Sequence, residues 1–98
     1  MKIDMIKNGT ELTVSLTGRL DTTTAPQLEA ELKASLAGVT NLVWDMSKLA
    51  YLSSAGLRVL LSAQKMMSKQ GSMKVVHVSE LVMEVFEVTG FTDILTIE

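Results

Sequence analysis

The sequence predicts an α/β domain, a small mixed sheet in the order β-β-α-β-α-β-α-β with mostly parallel strands and right-handed helical crossovers. Three observations carry this. Leu12, Val14 and Leu16 alternate with Thr13, Ser15 and Thr17 as a half-buried strand does. Leu28, Leu32 and Leu36 recur at helical spacing. Short apolar runs around Val43 and Val75 then alternate with two more helical segments, which requires crossover connections.

The elements follow in order. Ile3 and Met5 alternate with Lys2 and Asp4, and Asn8-Gly9 supplies a turn suited to a hairpin, so the chain opens with two antiparallel strands, the second ending at Gly18. Thr24-Ala25-Pro26-Gln27 fits a capping box with proline in the first turn, and Gly38 stops the helix that follows. Asn41 to Asp45 reads as a short buried strand whose carboxyl end is Asp45. A second helix runs from Ser53 to Lys69 and ends near Gly71. Ser72 to Val78 is a further buried strand that includes His77, as a half-buried or edge side chain. Ser79 caps a third helix with Leu81, Val82, Val85 and Phe86 on its core face, Thr89-Gly90-Phe91 closes it, and Ile94 to Ile97 is a last strand.

Ninety-eight residues, 47% of them apolar and 20% charged, predict one domain over residues 1–98 with a core of its own. A formal charge of -2 without a basic block gives no electrostatic footprint for nucleic acid or an anionic membrane. The absence of cysteine and the single His77 argue against a metal centre, and no cofactor motif of the glycine-rich phosphate-binding kind occurs. With no apolar run of bilayer length, the chain reads as cytoplasmic.

In open α/β sheets, chemistry collects where strands lead into helices. Asp21 with Thr22, Thr23 and Thr24 could contact a metal or phosphate, or could simply be a solvated turn. The segment from Asp45 to Ser54 ends at a helix N-terminus whose unpaired N–H groups would favour added negative charge. The bland alternative is that Ser53 or Ser54 is an N-cap worth roughly 0.5 to 2 kcal/mol. A hydrolase would have to draw on Ser54, His77 and Asp45, but Leu52 stands where a nucleophile elbow needs its first glycine. In the second helix, Leu57, Leu60, Leu61 and Met67 cover one face, and Val59, Ala63 and Met66 widen the apolar arc to roughly 220° at about 100° per residue. Arg58, Ser62, Lys65 and Lys69 form a narrow polar stripe. Either neighbouring helices cover that arc or it docks a protein, a use to which methionine is suited.

Taken together, Gly18-Arg19-Leu20-Asp21, then Ala25, Leu28 and Leu32, Asp45-Met46-Ser47, Ser53-Ser54-Ala55-Gly56-Leu57 and Thr89-Gly90-Phe91 resemble the STAS domain family, most closely its single-domain bacterial anti-sigma factor antagonists. The resemblance implies a regulator and not an enzyme. It implies that an anti-sigma factor/serine kinase phosphorylates a serine at the start of the second helix, Ser54 here with Ser53 as the alternative, and that a metal-dependent serine phosphatase reverses this. It further implies a partner-binding surface, for which Asp21, Thr22, Asp45, Ser53, Ala55, Gly56, Leu57, Arg58, Val59, Ser62 and Met66 are the candidates, on a monomer or weak dimer. Three departures stand out. Ser53 replaces an aspartate common before the phosphorylated serine, Arg58 replaces a small residue, and the C-terminal helix of many relatives is expected to be short or absent. A STAS-type domain that senses a small molecule or lipid, without phosphoryl transfer, is the alternative.

Overall fold

A computed structural model describes all residues, Met1–Glu98. The alternating N-terminal residues form β1 (Lys2–Asn8) and β2 (Glu11–Leu20), paired antiparallel with Asn8 opposite Glu11. The turn residues are therefore Gly9 and Thr10, not Asn8 and Gly9, and Gly9 alone takes a positive φ, +65°. The remaining elements are α1 (Ala25–Ser35), β3 (Asn41–Leu52), α2 (Ser54–Gln70), β4 (Ser72–Val76) and α3 (Glu80–Thr89). The sheet order is β1-β2-β3-β4, with β3 parallel to both β2 and β4. The last predicted strand is reduced to one parallel bridge, Val75 to Ile97, after a 3-10 turn at Phe91–Asp93.

Each crossover connects neighbouring parallel strands and each advances the same way across the sheet, so the usual right-handedness places all three helices on one face. The core agrees. Leu12, Val14, Leu16, Leu42, Trp44, Met46 and Val75 from the strands share one buried cluster with Leu28 and Leu32 of α1, Leu60 and Met67 of α2, and Val82 and Phe86 of α3. Val43, which points to the other face, is buried but lies outside that cluster. Gln70 ties the helix layer together by donating its side-chain N–H to the carbonyls of Leu36 at 2.9 Å and Val39 at 2.6 Å, satisfying groups just past the end of α1.

Strand β3 is the main correction. It continues seven residues beyond Asp45, because it bulges twice against β2: Ser15 and Thr17 face Asp45 and Lys48, then Gly18 and Arg19 face Leu49 and Tyr51. Each bulge adds one residue to β3, so its inward positions change from Leu42, Trp44, Met46 to Leu49 and Leu52. Strand β2 likewise passes through Gly18, at φ +105°, to Leu20.

Two smaller expectations also fail. His77 lies outside β4, exposed and at φ +58°, not half-buried within a strand. Leu81 leaves the core face of α3, with 56% of its surface exposed. Ser79 does cap α3, accepting from the Val82 N–H at 3.3 Å, and Gly90 closes it at φ +78°.

Candidate functional site

Strands β2 and β3 end side by side, Leu20 opposite Leu52, and both deliver their chain to a helix N-terminus. Ser53 crosses back to β2, donating its N–H to the Leu20 carbonyl at 2.9 Å. Ser54 is the first residue of α2 and is exposed. The first N–H of this helix to reach a helical carbonyl is that of Leu57, on Ser53 O at 3.0 Å. The N–H groups of Ser54, Ala55 and Gly56 precede it and have no intrahelical acceptor. No acidic residue occupies this first turn, so the helix itself supplies no carboxylate to balance its positive end.

The two serines differ. Ser53 holds the N-cap position, yet its hydroxyl makes no capping bond and is buried without a partner. Capping therefore does not explain it. The expected capping box at Thr24 is also absent. Thr24 Oγ1 instead accepts from the Asp21 N–H and donates to the Arg19 carbonyl, both at 2.9 Å, which clamps the loop leading out of β2. Within that loop the Asp21 carboxylate accepts from the Thr23 hydroxyl at 2.7 Å and the Thr23 N–H at 3.0 Å. These bonds, the hydroxyl's first, hold its pKa below the ordinary 3.8. Asp21 organises the loop. Arg19, whose guanidinium lies 3.8 Å from Asp21, also covers the Tyr51 ring at 4.1 Å.

Between α1 and α2 runs an open groove of about 430 Å3 lined by Thr22, Ala25, Pro26, Glu29, Ala55, Arg58, Val59 and Ser62. Five of the expected surface residues thus meet there, whereas Ser54 adjoins the lining residue Ala55 in sequence without lining the groove itself, and Met66 is half-buried one turn past Ser62. Gly56, Leu57 and Val59 are buried, so most of the wide apolar arc of α2 is covered by the sheet and α1 and does not form a docking face. The α1 contribution, Pro26 and Glu29, escaped the sequence reading. Its signal is present, since these residues lie one turn apart on α1, flanking the face that carries Ala25, Leu28 and Leu32.

Asp45 is not part of this site. It sits mid-strand, seven residues and on the order of 20 Å of strand before Leu52. It lines a different depression with Asp4, Ser15, Ser47 and Lys48. The Ser47 N–H, at 3.0 Å from Asp45 Oδ1, keeps the carboxyl below its usual range, with smaller help from His77 and Lys48. Because Val76 pairs with Asp45, His77 lies near that carboxylate, and Ser54 is at the far end of β3, so a Ser54–His77–Asp45 triad is not assembled. No group of three or more His, Cys, Asp or Glu could hold a metal ion, and no helix is long and apolar enough to cross a membrane.

The STAS domain model matches residues 2–98. The chain belongs to the STAS domain family. Among STAS proteins it is 40% identical to BtrV of Bordetella bronchiseptica, a candidate anti-sigma factor antagonist, over 99% of this chain and 85% of that one. It is 31% identical to the anti-sigma-B factor antagonist of Bacillus subtilis, over 99% and 90% of the two chains. The Bacillus protein SpoIIAA shares the fold in its unphosphorylated form (TM-score 0.85, 19% identity, 99% and 88% covered) and in its phosphorylated form (0.77, 18%, 99% and 91%).

Proposed function

We propose that this STAS domain is an anti-sigma factor antagonist that binds an anti-sigma factor/serine kinase when unphosphorylated and releases it once Ser54 is phosphorylated. The observation that carries this is the position of Ser54. It is exposed on the first turn of α2, beside unpaired N–H groups, next to Ala55 and one turn before Arg58, which both line the α1–α2 groove. A phosphoryl group there adds about -1.5 to -2 charges at a helix end that tolerates them. The fold is spared while a partner seated on the groove meets new charge and bulk. SpoIIAA, which has this fold, exists in both phosphorylation states. A metal-dependent serine phosphatase resets the switch, and the exchange takes place in the cytoplasm.

The test is phosphorylation by the cognate anti-sigma factor and ATP, mapped by mass spectrometry, with partner binding measured in parallel. Ser54 should carry the phosphate, and Ser54→Asp should lose partner binding while keeping its fold. Modification of Ser54→Ala to the wild-type extent would refute the site, and undiminished binding by Ser54→Asp would refute the switch.

A further inference from the structure

Helix α3 presents a second face that the α1–α2 groove does not use. It buries Val82 and Phe86 at 1% and 0% exposure, yet leaves Leu81 and Val88 56% and 81% exposed. At about 100° per residue, Leu81, Val85 and Val88 fall within roughly 60° of one another, a stripe adjoining the core side of the helix and not scattered apolar residues. With Glu84 and Thr89 these side chains line a shallow depression of about 300 Å3.

The charges beside the stripe choose its occupant. The acidic Glu80, Glu84 and Glu87 occupy the solvent side of α3, and the helix has no Lys or Arg. A second copy docking through this same face would set those glutamates against their equivalents, a repulsive pairing. An apolar helix face edged by Lys or Arg satisfies both features at once, the stripe by burial and the glutamates by charge. We infer that the outer face of α3 docks an amphipathic, basic-edged helix of a partner protein, through a contact that phosphorylation of Ser54 does not control.

The probe is a four-turn peptide of Leu and Lys in an amphipathic helical pattern, with a Leu and Glu counterpart, titrated into isotope-labelled protein at low salt and followed by heteronuclear NMR. The Leu–Lys peptide should shift resonances of residues 80–89, bind Ser54→Asp equally well, and weaken as salt rises. The Leu–Glu peptide should bind at least about tenfold more weakly. Val88→Ser removes a side chain that the fold does not bury, and should also cost the Leu–Lys peptide about tenfold, as expected for one lost valine contact. Ile6→Ser, which alters an exposed apolar residue of β1, is the control that should change nothing. Shifts spread over the whole acidic surface, no effect of Val88→Ser, or no binding at all would overturn the inference. So would a wild-type dimer that Val88→Ser dissolves, because the face would then belong to a second copy.

Discussion

A Cβ placed on Gly56 would lie 2.6 Å from Leu20 Cγ, so the first turn of α2 rests directly on the last residue of β2. Leu52 Cδ1 is equally close, and both leucines are buried. The glycine two residues after Ser54 is thus required by close approach, not by an unusual φ. Alanine in a helix is favoured over glycine by about 1 kcal/mol, but overpacking a filled core costs about 1 to 3 kcal/mol. Gly56→Ala is therefore expected to lose on the order of 1 kcal/mol in urea unfolding. Fluorescence of Trp44, the only tryptophan and fully buried, would report it. A raised midpoint would show that the turn lifts off Leu20 without penalty.

The clamp around Asp21 makes a pH prediction. Its folded-state pKa is lowered by the Thr23 hydroxyl and the Thr23 and Thr24 N–H groups. A depressed carboxyl stabilises the fold at pH above the unfolded value of 3.8, and this contribution disappears as pH falls through the lower folded value. Asp21→Asn keeps an acceptor oxygen and removes the charge. The variant should be less stable than wild type at neutral pH, and the two urea midpoints should converge below pH 3.8. A difference that persists unchanged into acid would mean that the charge plays no part.

These two sites mark how far the sequence could be read. The helices were legible because Leu28, Leu32 and Leu36, and the repeat from Leu57 to Met67, follow a single undisturbed period. The second half of β3 was not. Its bulges space Met46, Leu49 and Leu52 three residues apart, a period belonging to neither a flat strand nor a helix, so in sequence these strand residues resemble a loop and Asp45 resembles the strand's end. The place of Ser54 survived this error because the motif from Ser53 to Leu57 fixes it locally. Asp45 did not survive, because its location depended on where the strand stopped. Leu81 and Val88 were illegible for another reason: periodicity shows which residues are apolar, and not whether another surface exists to cover them.

Ser53 separates capping from position. If its hydroxyl capped α2, Ser53→Ala would cost about 0.5 to 2 kcal/mol. The hydroxyl is buried and unpartnered, so its removal relieves an unsatisfied polar group. The expected change in unfolding free energy lies within about 0.5 kcal/mol of zero or is favourable. A loss above 1 kcal/mol would reveal a bond to a first-turn N–H that this structure does not contain.

Arg58 concerns the modified state. It stands four residues after Ser54 on α2 and is exposed, so a phosphoryl group on Ser54 would have the guanidinium one turn away on the same face. Anion before cation at this spacing is the favourable order along the helix dipole, worth about 0.2 to 0.5 kcal/mol for an exposed pair. No carboxylate in the first turn competes for the guanidinium, and Glu29 across the groove already pairs with Lys33 at 3.1 Å. Phosphorus NMR of the phosphorylated protein should show the phosphoserine titrating at higher pH in Arg58→Ala than in wild type, because the dianion loses its partner. The unmodified variant should unfold within about 0.5 kcal/mol of wild type, as a surface substitution does. A titration that does not move would leave Arg58 as a groove residue alone. Its effect would then appear only in partner binding by the unphosphorylated protein, where Arg58 lines the wall beside Val59 and Ser62.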